Sequence, residues 1–151
     1  VHLVDLALWT LDFPAVTAVR GRLFAGGAPL ADPARQVEDY AVAEIELAGG
    51  AVVRAACSWR LHAGREAVIS AAFHGTAGGA EMRNLGGSFY DFAAEAHRGT
   101  AAEPLASPPD AWGGRAAVRW AERLAAGEGF DGAEGERLVA VADVLDRIYG
   151  R

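Results

Sequence analysis

Lysine is absent from this chain: all fourteen basic residues are arginine. No Schiff base, phosphate-loop lysine or lysine general acid can therefore come from it. Cysteine occurs once, at Cys57, which excludes an internal disulfide. With His2, His62, His74 and His97 scattered along the chain it also makes no metal-ligand spacing such as CxxC or HExxH. Cys57 reads as a small buried strand residue, and the three later histidines as structural or exposed. No apolar run approaches the roughly 20 residues that a membrane span requires, so no membrane partner is expected. No secretory pattern stands at the N-terminus, which makes the cytoplasm the default compartment. Clustered cations are lacking too: the net charge is -6, the pI is near 5.1, and the arginines are dispersed, which argues against nucleic acid as a partner. The glycines nowhere form GxGxxG between a strand and a helix, so a complete dinucleotide-binding fold is not expected.

What is present is a globular composition, 52% hydrophobic and 23% charged over 151 residues, enough for one substantial core. A single domain over 1–151 is the working assignment. Its first nine residues, VHLVDLALW, already read as the inside of an apolar helix, with no cap or strand before them. The expectation is a C-terminal part of a longer protein. From Val1 to about Asp12 apolar residues cover most of the helix surface, while His2, Asp5, Trp9 and Asp12 share one stripe. Pro14 then ends the helix.

Strands follow. Residues 15–24 alternate, placing Arg20 and Arg22 on one face, where an interface or a solvated surface is expected. The segment 25–37 has the glycine and proline chemistry of a surface loop. Residues 39–47 and 52–60 read as a β-hairpin about Gly49 and Gly50. A two-residue loop would set Arg54 opposite Ile45; a three-residue loop sets it opposite Glu46 and gathers Leu47, Val53, Ile45 and Ala55 on one apolar face. The second register is preferred. Further strands are expected over 66–75, 80–85 and 88–94, and a proline-bearing connection over 99–109. A helix capped by Asp110 should run to about Ala126 with Ala117, Trp120, Ala121 and Leu124 inward. The last helix should start at Asp131, with Glu134 in capping-box position and Leu138, Val141, Ala142, Leu145 and Ile148 as its core stripe. This order predicts an α+β fold: an open-faced, mostly antiparallel sheet with helices packed on one face.

His2 is the most informative side chain, because imidazole is the group most readily poised to move protons near neutral pH. Asp5, one turn away on the same face, can orient or support it. Spacing alone is equally compatible with a structural pair. The segments VHLVDLALW, FPAV, EDYAVAEIELAGGAVVRAACSW, GTAGGAEM and EGERLVAVADVLDRIYG add order and spacing along essentially the whole chain. Together they resemble the C-terminal domain of the Gfo/Idh/MocA oxidoreductases, the family of glucose-fructose oxidoreductase and inositol dehydrogenase.

That resemblance implies a parent protein whose N-terminal Rossmann domain, absent here, binds NAD or NADP. It implies that the present domain helps to form a sugar or polyol pocket and, through its sheet face, a homo-oligomer contact. It places the family's catalytic histidine on His2, which would take the substrate hydroxyl proton in oxidation and return it in reduction. The family's lysine, and often an aspartate four positions before the histidine, would lie upstream of Val1. Trp59 and Arg60, ending the Ser-Trp strand, are the next candidates, as an apolar wall and a donor to a polyhydroxylated or anionic substrate. By itself the chain is expected to be inactive. The alternatives are a non-catalytic α+β self-association module and an independent small-ligand-binding cup.

Overall fold

A computed structural model describes residues 1–129 and 131–151. In chain order the elements are α1 (His2–Thr10), β1 (Val16–Ala25), β2 (Ala28–Pro29), β3 (Tyr40–Leu47), β4 (Val52–Ser58), β5 (Ser70–His74), β6 (Gly79–Asn84), β7 (Phe92–Arg98), β8 (Ala101–Ala106), α2 (Arg115–Ala125) and α3 (Gly132–Ile148). The class is α+β and the strand pairing antiparallel throughout, as expected. The successive strands nevertheless divide into two sheets of four, ordered β2-β1-β3-β4 and β5-β6-β7-β8. They belong to two compact units, Val1–Leu61 with Asp131–Arg151, and His62–Phe130.

In the first unit α1 and α3 cover one face of the sheet. Val4 and Leu8 of α1, Ile45 and Leu47 of β3, and Val141 and Val144 of α3 form the buried cluster, with Val19, Val53, Leu145 and Ile148 packed against it. Helix α1 buries Val4, Ala7 and Leu8 and leaves His2, Asp5 and Trp9 exposed, so its polar stripe faces outward. The chain leaves α1 through Asp12 and Phe13, both at positive φ, with Phe13 N donating to Leu8 O at 2.7 Å. Gly21 of β1 faces the helices, and the Ile148 carbonyl of α3 sits where a Cβ on Gly21 would be, 2.4 Å from that position. Only glycine permits this approach of helix to strand.

Several local expectations shift. The β3–β4 hairpin has a three-residue loop, closed by Leu47 N donating to Ala51 O at 2.9 Å, with Gly49 and Gly50 at positive φ. It lies one residue earlier than expected, so Arg54 opposes Glu44 rather than Glu46, and Ile45 opposes Val53. A shift of two in the partner preserves side-chain faces, which is why hydrophobic alternation could not distinguish the registers. Cys57, expected to be buried, is exposed, because β4 is an edge strand. Asp131 does cap α3, its Oδ1 accepting from Ala133 N at 3.0 Å. The core stripe of that helix is rotated: Val144 is fully buried, whereas Leu138 is 69% exposed and Ala142 is exposed too. Apolar residues occupy adjoining stripes of α3, and contact with Val4 and Leu8 selects one of them.

In the second unit Asn84 ties the loops together. Its Oδ1 accepts from Ile69 N at 2.9 Å, and its Nδ2 donates to Ala67 O at 3.0 Å and Ser88 O at 2.9 Å. Residues 66–69 are held by this side chain, so β5 begins at Ser70, later than expected. The proline-bearing connection contains a strand, β8, reached by a tight turn at Gly99 and Thr100. Pro104 is tolerated there because β8 is an edge strand and Pro104 lies beside a bulge, opposite Glu95. Helix α2 buries none of its residues, and its expected inner residue Trp120 is 63% exposed. Gly114 occupies its N-cap, while Asp110 instead accepts from the Arg115 guanidinium.

Candidate functional site

His2 occupies the first position of α1 and Asp5 its first turn. A helix forms here because Leu3, Val4, Leu6, Ala7 and Leu8 supply an apolar surface that α3 and β3 can bury, which leaves the polar pair on the outer side. Both side chains are exposed, and among the described residues neither is engaged by another group.

Trp59 and Arg60 leave the end of β4. Trp59 is 69% exposed, not a core residue, and its indole Nε1 donates to Glu38 O at 2.8 Å. The Arg60 guanidinium carbon lies 5.5 Å from the centre of the Trp59 ring, a cation–π distance. Ser58 fixes the turn between them and the strand: its Oγ donates to Asp39 O at 2.7 Å and accepts from Arg60 N at 3.1 Å. The structure thus joins Trp59 with Arg60, and places His2 with Asp5 on one helix. No hydrogen bond or ring contact links the two pairs among the described residues.

Sequence reasoning missed the residue that organises this end of the sheet. Tyr149, just beyond α3, donates its hydroxyl to the Glu38 carboxylate, while the Glu38 carbonyl receives the Trp59 indole. The hydrogen bond to Glu38 pushes the Tyr149 phenol up to about 12, with partial burial and the Glu38 charge adding to it and Arg151 opposing. An aromatic residue closing the last turn of a core helix was the only available signal. Beside it, a depression of about 460 Å³ runs between β1 and the end of α3, lined by Arg22, Phe24, Leu30 and Tyr149 among others.

The opposite face of this sheet is open and carries charged rows. Arg20, Glu44 and Arg54 stand in register, and Arg20 pairs with Glu44 at 3.5 Å and also with Glu46. The hydrogen bond and charge of Glu46, aided by Glu44, hold the Arg20 guanidinium still more firmly protonated. Arg22 lies on the same face, as alternation predicted.

A dinucleotide does not fit the residues described: both sheets are antiparallel and no glycine-rich turn joins a strand to a following helix. Among the described residues no three histidine, cysteine or carboxylate side chains converge to hold a metal ion. No described helix is long and apolar enough to cross a membrane.

The chain belongs to the GFO/IDH/MocA C-terminal domain family, whose profile matches residues 1–81. No curated protein matches it significantly. Among solved structures its fold is similar to that of aldose-aldose oxidoreductase from Caulobacter crescentus, crystallised as a complex with glycerol, at 18% identity and a TM-score of 0.68. The likeness covers 99% of this chain and 44% of that one, so the chain spans less than half the length of that protein.

Proposed function

We propose that this chain is the substrate-binding and oligomerisation domain of an NAD(P)-dependent oxidoreductase acting on a sugar, polyol or related hydroxy compound, and that it is inactive by itself. One observation carries the reading: the family match begins at α1, the helix that presents His2 and Asp5 to solvent. His2 accepts the proton of the substrate hydroxyl in oxidation and returns it in reduction, with the Asp5 carboxylate one turn away on the same helix. Trp59 offers an apolar wall to a sugar face and Arg60 donates to its oxygens. NAD or NADP, which takes up or delivers the hydride, is bound by a separate Rossmann domain, the partner this chain requires. The open sheet face carrying Arg20, Glu44 and Arg54 supplies a homo-oligomer contact, and the assembly works in the cytoplasm.

The test is a fluorescence titration of NADH and NADPH into this chain and into the complete product of its gene, followed by a screen of sugars and polyols. Nucleotide binding by the complete protein alone is expected, with turnover falling about 10²–10⁴-fold in a His2→Ala variant. Unchanged turnover would remove His2 from the catalytic role. Binding by neither protein would favour the second reading, a non-catalytic α+β self-association or small-ligand-binding module. That reading draws support from the lack of a bond between the His2–Asp5 and Trp59–Arg60 pairs. Light scattering over a dilution series addresses the oligomer, and a monomer at every concentration would remove that part of the proposal.

A further inference from the structure

Trp9 is the large apolar side chain that α1 turns to solvent. Leu3 and Leu6 of the helix are half-buried and Val4, Ala7 and Leu8 are buried, whereas Trp9 is 68% exposed and its indole N–H has no partner among the described residues. Burial of an aromatic ring is among the largest gains a side chain offers, and this chain alone leaves it unused. Trp9 shares its stripe with His2 and Asp5, and seven residues of helix set it about 10 Å along the axis from His2. The surroundings are acidic. Asp5 stands one turn before Trp9 and Asp12 follows the helix; both are exposed and in no ion pair among the described residues. No arginine occurs before Arg20, and no basic residue offsets the C-terminal end of the helix dipole. Arg137 of α3 reaches this end but lies over the Phe13 ring, 5.4 Å from its centre. A surface that covers Trp9 must therefore combine apolar contact with positive charge.

What covers this surface follows from the proposed reaction. His2 takes the hydroxyl proton while the hydride leaves the carbon that bears the hydroxyl, so the nicotinamide carbon that receives it must stand about 3.5 Å from that carbon. The nucleotide-binding domain thus reaches the outer side of α1 within one substrate thickness of His2. A stable contact covers about 800 Å² on each partner, a patch roughly 16 Å in radius, whereas Trp9 is only about 10 Å from His2. Trp9 falls inside that patch, and tryptophan is among the residues that carry such contacts.

We infer that the outer face of α1 is the surface on which the nucleotide-binding domain docks, with the Trp9 indole entering an apolar depression of that domain and Asp5 and Asp12 meeting lysine or arginine at its rim. The inference rests on the oxidoreductase reading and adds to it the surface that the partner domain contacts. The experiment is hydroxyl-radical footprinting of this chain and of the complete product of its gene, read by mass spectrometry at Trp9, beside nucleotide binding and turnover of the complete product. Trp9 should be oxidised readily in this chain at every dilution and severalfold more slowly in the complete product. Trp9→Ala should leave the thermal midpoint of this chain within about 1 °C, as at other exposed positions, and lower that of the complete product by several degrees. Asp12→Asn, which suits the left-handed backbone at this position but removes the charge, should restore part of the oxidation of Trp9 in the complete product. Oxidation of Trp9 at an equal rate in a complete product that binds nucleotide and turns over a sugar or polyol would overturn the docking surface and leave the oxidoreductase reading standing. Equal shifts of the two midpoints in Trp9→Ala would do the same. Protection that appears in this chain as its concentration rises would overturn the inference in favour of a second copy, and a complete product that binds neither NADH nor NADPH would remove both the inference and the reading beneath it.

Discussion

The Tyr149 hydroxyl donates to the Glu38 carboxylate across 111 residues of sequence, tying the end of α3 to the segment that enters β3. The same Glu38 receives the Trp59 indole through its carbonyl. Because the phenol is raised in the folded state from 10.0 to about 12, the tie contributes fully below pH 10 and is lost as pH climbs toward 12. In a spectrophotometric titration of the folded chain, one of the three tyrosines should ionise last, and Tyr149→Phe should remove that late step. Glu38→Gln should move it back toward the ordinary range. A late step that survives Tyr149→Phe would mean another tyrosine carries it.

The end of α3 is also seated on Gly21, whose absent side chain admits the Ile148 carbonyl. Alanine there would meet backbone, which cannot rotate away as a side chain can. Gly21→Ala should cost about 2–3 kcal/mol in urea unfolding, the upper part of the range for overpacked sites. An alanine variant as stable as wild type would show that α3 does not lie this close.

How far the sequence could be read follows from the same contacts. Alternation and turn chemistry located β1, β3 and β4, and the apolar stripe of α1 left His2 and Asp5 outside, because these are short-range patterns with periods of two and 3.6. They could not choose between registers two residues apart, since Arg54 keeps its face whether it opposes Glu44 or Glu46. Nor could they show that Trp59 is exposed, that β8 forms despite Pro104, or that Tyr149 reaches Glu38. Those depend on edges and on partners distant in sequence. Trp120 and Leu124 have the spacing of an inner face, yet no element covers them in the described structure.

Helix α3 offers two apolar stripes, and the buried one is testable. Leu8 is 1% exposed in the cluster with Val141 and Val144, whereas Leu138 points outward. Leu8→Ala should destabilise by about 3 kcal/mol, but Leu138→Ala by under about 0.5 kcal/mol. Comparable losses at both sites would restore the stripe that periodicity suggested.

Cys57 should react with Ellman's reagent in the native protein, without denaturant, at one equivalent per chain, because its side chain is accessible on the edge strand β4. A thiol that reports only after unfolding would place Cys57 in a covered interface.

The proposed substrate wall separates from a purely structural role through kinetics. The indole of Trp59 is anchored by Glu38 and the guanidinium of Arg60 stacks on it, so the pair is already ordered before any ligand arrives. Contacts of this kind act alike on bound substrate and transition state. If the complete product of the gene has the proposed activity, Arg60→Ala in it should therefore raise KM about tenfold with kcat nearly unchanged, whereas His2→Ala should lower kcat. Trp59→Phe keeps an apolar ring but loses the bond to Glu38, and should show a smaller rise in KM together with a modest drop in Tm. A variant at Arg60 that changed Tm and left KM alone would assign the pair to folding, leaving the substrate contact to be sought elsewhere on the α1 side of the sheet.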